Sequence, residues 1–303
     1  MLAKLMEMLT PGSAEAGVYR KRVNIQKRFA ILADASSQGS MSKVYKAHDH
    51  ETGKTVCLKV QLRQKNEAAA ARASREEARP PEGAIAVAIV HPHVVRTVEY
   101  GETTAGEQYL VMEFIEGYSF QYIHESRLGK TAQKVEWVAQ AAEGLAAVHA
   151  AGFIHHDVNP RNFLLNRDHA VKVIDFGLAV PNTPAFRGPG NRTGTLQYMA
   201  PELIRREPID ERIDIFSLGV VAYELLTGRL PYSATGSSTT MLQRLNVDPI
   251  DPVKVKPKLS DELCDALRRL TARRREDRWP SLATLASHLR SIPAKRPRPV
   301  EQD

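Results

Sequence analysis

The sequence predicts an α+β fold for this 303-residue chain, with a five-stranded antiparallel sheet and a helix in the N-terminal part and a mainly helical C-terminal part. Three observations predict it. Between Phe29 and Ile115 the apolar residues fall in five short β-type runs separated by turn-forming or helix-forming stretches. After Gly117 the apolar repeat becomes helical. Hydrophobic residues make up 43% and charged residues 25% of the chain, the balance of an ordinary globular protein, which excludes a disordered or collagen-like chain. At roughly 150 residues per domain, the length allows one large domain or two packed lobes.

Residues 1–22 read as a leader, disordered or a short surface turn: Leu2, Leu5, Met6 and Leu9 fall at helical spacing, and Pro11-Gly12 stops any helix there. The sheet begins with FAILADA from Phe29 and continues through KVYKAHD and TVCLKVQL, joined by His50–Lys54, whose Gly53 suits a hairpin. The run KNEAAAARASREEAR is rich in helix formers until Pro80-Pro81 interrupts it. Proline is tolerated in a first helical turn, so a second helix is expected to start there and run through GAIAVAIV. VVRTVEY and QYLVMEFI complete the sheet. From Thr131 to Ala151, Val135, Val138, Leu145 and Val148 repeat on one face of a long helix. Asp210 to Thr227 is apolar enough to be a buried helix, and Ser260–Leu270 and Ser281–Ile292 are amphipathic ones. Residues 292–303 form a basic, Pro-rich tail.

Lys and Arg number 42 and Asp and Glu 35, a net charge of +7. Much of the visible excess lies in Arg20 to Arg28, in RRLTARRREDR and in the tail. Without aromatic interleaving, the arginine-rich stretch reads as a solvated face and no nucleic-acid partner is expected. Two cysteines, Cys57 and Cys264, are too few for a disulfide framework and suggest a reducing compartment. The longest apolar run, Ala84 to Val90, is far short of the roughly 18 residues needed to span a bilayer. A cytoplasmic location without a membrane span is expected. His91/His93 and His155/His156 lack a third ligand at a suitable spacing, so no metal-imidazole site is expected.

The chemistry-bearing text is His155-His156-Asp157-Val158-Asn159-Pro160-Arg161-Asn162, followed by the β-type run AVKVI and Asp175-Phe176-Gly177. An Asp, an Asn five residues later and a second Asp form a set of hard oxygen ligands, suited to Mg²⁺ holding phosphates. Upstream, Lys59 ends the strand-like TVCLK, within reach of phosphates. Downstream, GTLQYMAPE spans Gly194 to Glu202.

In order and spacing these motifs resemble the eukaryotic-like, bacterial-type Ser/Thr protein kinases, which carry a loop over phosphates, a strand Lys, an H-R-D-x-x-x-x-N loop, D-F-G and A-P-E. The resemblance covers about residues 28–291. It implies a bilobal kinase domain over 23–291, with an N-lobe at about 23–115 and a C-lobe at about 116–291. It also implies ATP and Mg²⁺ (or Mn²⁺) as cofactors and a protein substrate carrying Ser or Thr.

Carried over residue by residue, the resemblance has Lys59 grip the phosphates and Asp157 take or orient the proton of the substrate hydroxyl. Asn162 and Asp175 bind the metal, and Thr195 contacts the catalytic Asp. Met112 matches the gatekeeper position, and Glu113 to Ile115 the segment that reads adenine through backbone groups. Ser37, Gly39, Val44, Cys57, Ser119 and Leu164 complete the ATP site. Phe176 and Gly177 follow the metal-binding Asp, Glu202 pairs with Arg278, and Asp214 holds the catalytic-loop backbone. The partner of Lys59 is Glu82, counting back from His91-Pro92, with Glu76 and Glu77 as alternatives. His155 takes a packing role.

The chain departs from the family at four places. The phosphate loop runs Ser37 to Val44 and keeps only Gly39 of three glycines, which stiffens the loop. Asn159 stands where a Lys usually meets the γ-phosphate, which removes a positive charge. His156 replaces the Arg that meets an activation-segment phosphate, and a neutral imidazole does not reproduce a bidentate guanidinium. Activity independent of that phosphorylation is therefore expected. Pro80-Pro81 makes the start of the helix bearing Glu82 unusual. The leading expectation is an ATP-dependent Ser/Thr kinase; the alternative is a pseudokinase or nucleotide-binding scaffold with little or no transfer.

Overall fold

The β-type runs of the N-terminal part build one mixed sheet in the structure, a computed structural model that describes residues 17–36, 42–61, 79–189, 194–232 and 244–295. The chain divides into two compact units, Met1–Glu116 and Gly117–Asp303.

In the first unit, β1 (Val18–Val23), β2 (Phe29–Ser36), β3 (Ser42–Asp49), β4 (Lys54–Gln61), β5 (Thr97–Thr103) and β6 (Gln108–Glu113) lie in the order β1-β5-β6-β4-β3-β2. Five of these strands are the expected antiparallel ones; β1 is a sixth. It runs parallel to β5, with Tyr19 opposite Tyr100 and Arg20 opposite Gly101. The leader expected over residues 1–22 thus contributes a strand from Val18 onward. Sequence reading missed it because VYRKRV carries four polar or charged positions in six and is exposed along most of its length. Its contact with β5 depends on a glycine, since a Cβ on Gly101 would fall 1.9 Å from the Arg20 carbonyl oxygen. The part of the leader at Leu2 to Leu9 lies outside the described residues.

One face of the sheet gathers Phe29, Ala47, Val56, Leu58, Val60, Tyr109 and Val111 into an apolar cluster. A short helix, α1 (Ile25–Arg28), ends at Arg28, which is buried rather than part of a solvated basic run. Its guanidinium holds both Asp49 oxygens at 2.9 Å and Glu99 at 2.7 Å, and Tyr109 donates its hydroxyl to the same Glu99 oxygen at 2.6 Å. Part of the charge excess read at Arg20 to Arg28 is neutralised inside the unit. The helix expected from Pro80-Pro81 to Val90 is α2 (Glu82–Val87), with Pro81 at its N-cap.

The second unit is mainly helical. After β7 (Gly117–Ser119) and α3 (Phe120–Glu125), the long helix α4 (Thr131–Ala150) buries Val135, Val138, Leu145 and Val148, the stripe read from the sequence. Short strands follow: β8 (Phe153–Ile154), β9 (Phe163–Asn166), β10 (Val171–Val173) and β11 (Val180–Pro181). They pair as β10-β9-β7 and β11-β8. Then come α5 (Pro201–Arg205), α6 (Arg212–Thr227), α7 (Pro252–Val255), α8 (Asp261–Leu270) and α9 (Leu282–Ser291). Helix α6 is buried from Ile213 to Leu226, as its apolar composition requires. Arg290 of α9 bridges Glu136 and Glu143 of α4. No helix among the described residues is long and apolar enough to cross a membrane.

Candidate active site

Lys59 sits on β4, 7% exposed, on the face opposite the core residues Val56, Leu58 and Val60. Its Nζ lies 2.7 Å from Glu82 Oε1, while Gln61 Nε2 donates to Glu82 Oε2 at 2.6 Å. Glu82 is the first residue of α2 and is buried. An acid suits a helix start, where the unpaired backbone N–H groups favour negative charge. Of the three acids weighed as partner for Lys59, Glu82 is the one at this distance; Glu76 and Glu77 lie outside the described residues.

Register places Val44 opposite Lys59, and Cys57 opposite Met112 on β6. Burial pushes the Cys57 thiol up to about 11, against the opposing pull of Lys59, so it stays protonated at neutral pH. Met112 is buried, and the Glu113 main-chain N–H donates to the Arg96 carbonyl at 2.9 Å, which fixes the strand end leading to Ile115. Ser37 and Gly39 of the phosphate loop lie outside the described residues.

In the second unit, Ser119 and Leu164 face each other across β7 and β9. Phe163 and Leu165 turn into the core while Leu164, between them, stays half-buried, the period of two expected of a strand. Ser119 Oγ also caps α3 by accepting from Tyr122 N at 3.2 Å.

The loop between β8 and β9 is held by one carboxylate. Asp214, fully buried on α6, accepts the main-chain N–H groups of His155 and His156 at 2.8 and 2.9 Å and faces His149 Nε2 at 2.8 Å. Burial alone would push its carboxyl up; the bonds from His149 and the backbone outweigh that and hold it below the usual carboxylate range. This support lets His156 take a left-handed backbone with φ +69°, and Asp175 does the same at +65°. Burial also pushes the His156 imidazole down, against the pull of Asp214 and Asp157. His155 packs against Phe176, with rings 5.5 Å apart, and its Nε2 lies 3.2 Å from the Ile174 carbonyl.

Asp157 stands at the centre of this unit's polar contacts. Its Oδ1 accepts from both the main-chain N–H and the hydroxyl of Thr195, each at 2.9 Å. Asn162 Nδ2 donates to the Asp157 carbonyl at 2.9 Å and to Oδ2 at 3.3 Å. Thr195 reaches Asp157 because Gly194 takes φ +108°, where a Cβ would lie 3.0 Å from the His156 carbonyl oxygen. Ile174 N donates to the Asn162 carbonyl at 2.9 Å, which brings the residue before Asp175 beside Asn162. Asp175 Oδ1 accepts from Gly177 N at 3.0 Å.

Asn159, grouped by the sequence reading with the catalytic residues, lies in the same loop. It is 4% exposed, its Nδ2 donates to the Asp157 carbonyl at 3.1 Å, and its Oδ1 accepts from Arg161 N at 3.0 Å. A short amide this close to its own backbone caps the turn Pro160–Asn162 instead of reaching outward.

Glu202 and Arg278 form a bidentate pair at 2.6 and 2.8 Å, with the Arg278 side chain wholly enclosed. Arg278 also donates to the carbonyls of Arg212, Ala272 and Arg273.

Three residues absent from the sequence reading hold the turn Leu196–Tyr198. Ser217 Oγ donates to the Tyr198 carbonyl at 2.7 Å, Tyr198 donates its hydroxyl to Glu224 at 2.7 Å, and Arg244 reaches three further carbonyls. Ser217 and Glu224 left a signal, as polar residues within an otherwise apolar helix; Arg244 left none.

A family model described as protein kinase domain matches residues 37–289. The chain is 31% identical over 280 residues to the serine/threonine-protein kinase PknB of Mycobacterium leprae, covering 88% of this chain and 43% of that protein. PknB of Mycobacterium tuberculosis is 32% identical over 277 residues, covering 85% and 42%. The probable serine/threonine-protein kinase pknA2 of Bifidobacterium longum is 31% identical over 277 residues, covering 90% and 36%. The chain therefore spans about two fifths of the length of these curated relatives.

Proposed function

The chain belongs to the protein kinase family, and from that premise we propose that it transfers the γ-phosphoryl group of ATP to serine and threonine hydroxyls of proteins, in the cytoplasm. The observation that carries the reading is the double hydrogen bond from Thr195 to Asp157, with Asn162 on the other carboxylate oxygen. It fixes a carboxylate in one orientation, as a group that must meet an incoming hydroxyl and take its proton requires.

The donor set fits a magnesium or manganese ion. Asn162 spends its amide nitrogen on Asp157, which leaves its carbonyl oxygen as a ligand, and Asp175 adds a carboxylate. Two hard oxygen donors are what Mg²⁺ takes from a protein when phosphates and water supply the rest. Asn162 and Asp175 would hold it, and when bound it neutralises charge on the transferred group. Lys59, fixed by Glu82, is the residue that meets the phosphates.

The experiment is to incubate purified protein with Mg²⁺, γ-labelled ATP and myelin basic protein. Label is expected on Ser and Thr with the wild type, and at least about a hundredfold less with Asp175→Ala. Intact ATP binding without transfer by the wild type would overturn the reading in favour of a scaffold.

We assign a mode of activation as well: transfer does not wait for phosphorylation of the activation segment. Support comes from His156, whose imidazole is held toward its neutral form by burial and offers no charge to a phosphate. Thr183→Ala, and Thr193→Ala at a position outside the described residues, are each expected to leave the initial rate within a few fold of wild type. Complete loss with either would refute it.

A further inference from the structure

Arg244 is 2% exposed and bears a cation, and among the described residues no carboxylate pairs with it. Burying a charge without a counter-charge is costly, so the residue must obtain compensation elsewhere. Main-chain carbonyls provide it: one Nη donates to Leu196 at 2.6 Å and to Met199 at 3.0 Å, and the other donates to Gln197. The Tyr198 carbonyl between them is taken by Ser217 Oγ. Four consecutive carbonyls are thus tied from beneath, three of them by one guanidinium. The Tyr232 ring lies 5.3 Å away, and Arg244 Nε finds no partner among the described residues. Burial pushes the guanidinium down to about 10, which still leaves it charged at neutral pH.

The opposite side of this turn is open. Thr195, Leu196 and Gln197 are exposed, and Leu196 keeps 52% of its surface despite being apolar. Thr195, the first residue of the stretch, is the one bound to Asp157. The exposed residues immediately beyond Thr195 therefore adjoin the carboxylate that is to meet the acceptor hydroxyl.

We infer that Arg244 is a positioning residue for the polypeptide substrate: through its fork of hydrogen bonds to the carbonyls of residues 196, 197 and 199, it fixes the surface on which the chain flanking the acceptor hydroxyl docks. The inference rests on the kinase reading above. A planar guanidinium suits the role because its donors diverge in fixed directions; an ammonium, a single point, meets fewer carbonyls at once.

The test compares wild type, Arg244→Met and Arg244→Lys, with myelin basic protein as acceptor. Arg244→Met is expected to raise KM for the acceptor about tenfold, the effect of losing charge-assisted hydrogen bonds, while KM for ATP stays within about twofold. Arg244→Lys is expected to recover part of the loss, and it keeps the question open to measurement if the Met variant folds poorly. Hydrogen exchange on the full chain should show faster exchange at residues 196–199 in Arg244→Met and unchanged exchange in α6. An unchanged acceptor KM, or equal rises in both KM values, would overturn the proposal while wild-type transfer stands. A wild type that labels no acceptor overturns the kinase reading and the substrate role with it, and the exchange data then report separately whether Arg244 holds the turn.

Discussion

Asp157→Asn is expected to lower kcat on the proposed reaction by about a hundredfold to ten-thousandfold, the usual contribution of a positioned general base. The substitution is nearly isosteric. Its remaining carbonyl oxygen can still accept from the Thr195 N–H and hydroxyl, and Asn162 still reaches the Asp157 main-chain carbonyl at 2.9 Å in the native loop. What is lost is the capacity to take a proton. The melting temperature should therefore move little while phosphate transfer falls, and ATP affinity should be retained. Single-turnover transfer measured beside a thermal melt checks this. A variant that keeps more than about a tenth of wild-type kcat would show that Asp157 only orients the hydroxyl.

Arg278→Met is expected to be the largest single loss of stability. Removing one partner of an enclosed ion pair strands the other charge, at about 3–5 kcal/mol. Here Glu202, 4% exposed, would be left without the two bonds at 2.6 and 2.8 Å, and the carbonyls of Arg212, Ala272 and Arg273 would lose their donor. The second unit should melt about 10 °C lower, taking a few degrees per kcal/mol for a unit of this size. Adding Glu202→Gln should restore part of the loss, since a buried neutral amide costs less than a buried lone carboxylate. A shift below about 3 °C for the single variant would mean that water or another cation replaces Arg278.

Both residues were legible before any coordinates, and so was the frame around them. Five of the six strands of the first sheet follow from short β-type runs, the long helix α4 from its apolar stripe, and α6, buried from Ile213 to Leu226, from its apolar composition. The contacts Lys59–Glu82, Glu202–Arg278 and Thr195–Asp157 are those the family resemblance implied, with Glu82 preferred over Glu76 and Glu77. Strand β1 was not legible: its backbone pairing with β5 is independent of side-chain pattern, and VYRKRV is mostly polar. The hydrogen bonds of Asn159 to its own loop were not legible either, because they depend on how the backbone folds around it.

The sequence by itself determined the fold class and the family, because hydrophobic period and motif order are properties of the chain read in order. Only the tertiary structure decided where charge is spent. Arg28 and Arg244, which look alike on paper as members of a basic surplus, are both buried, one against Asp49 and Glu99, the other against bare carbonyls beneath the turn beyond Thr195. The physical reason is that an arginine is solvated, paired or made to hold a backbone according to which oxygens lie near it in space, and those oxygens come from residues about twenty to seventy positions away.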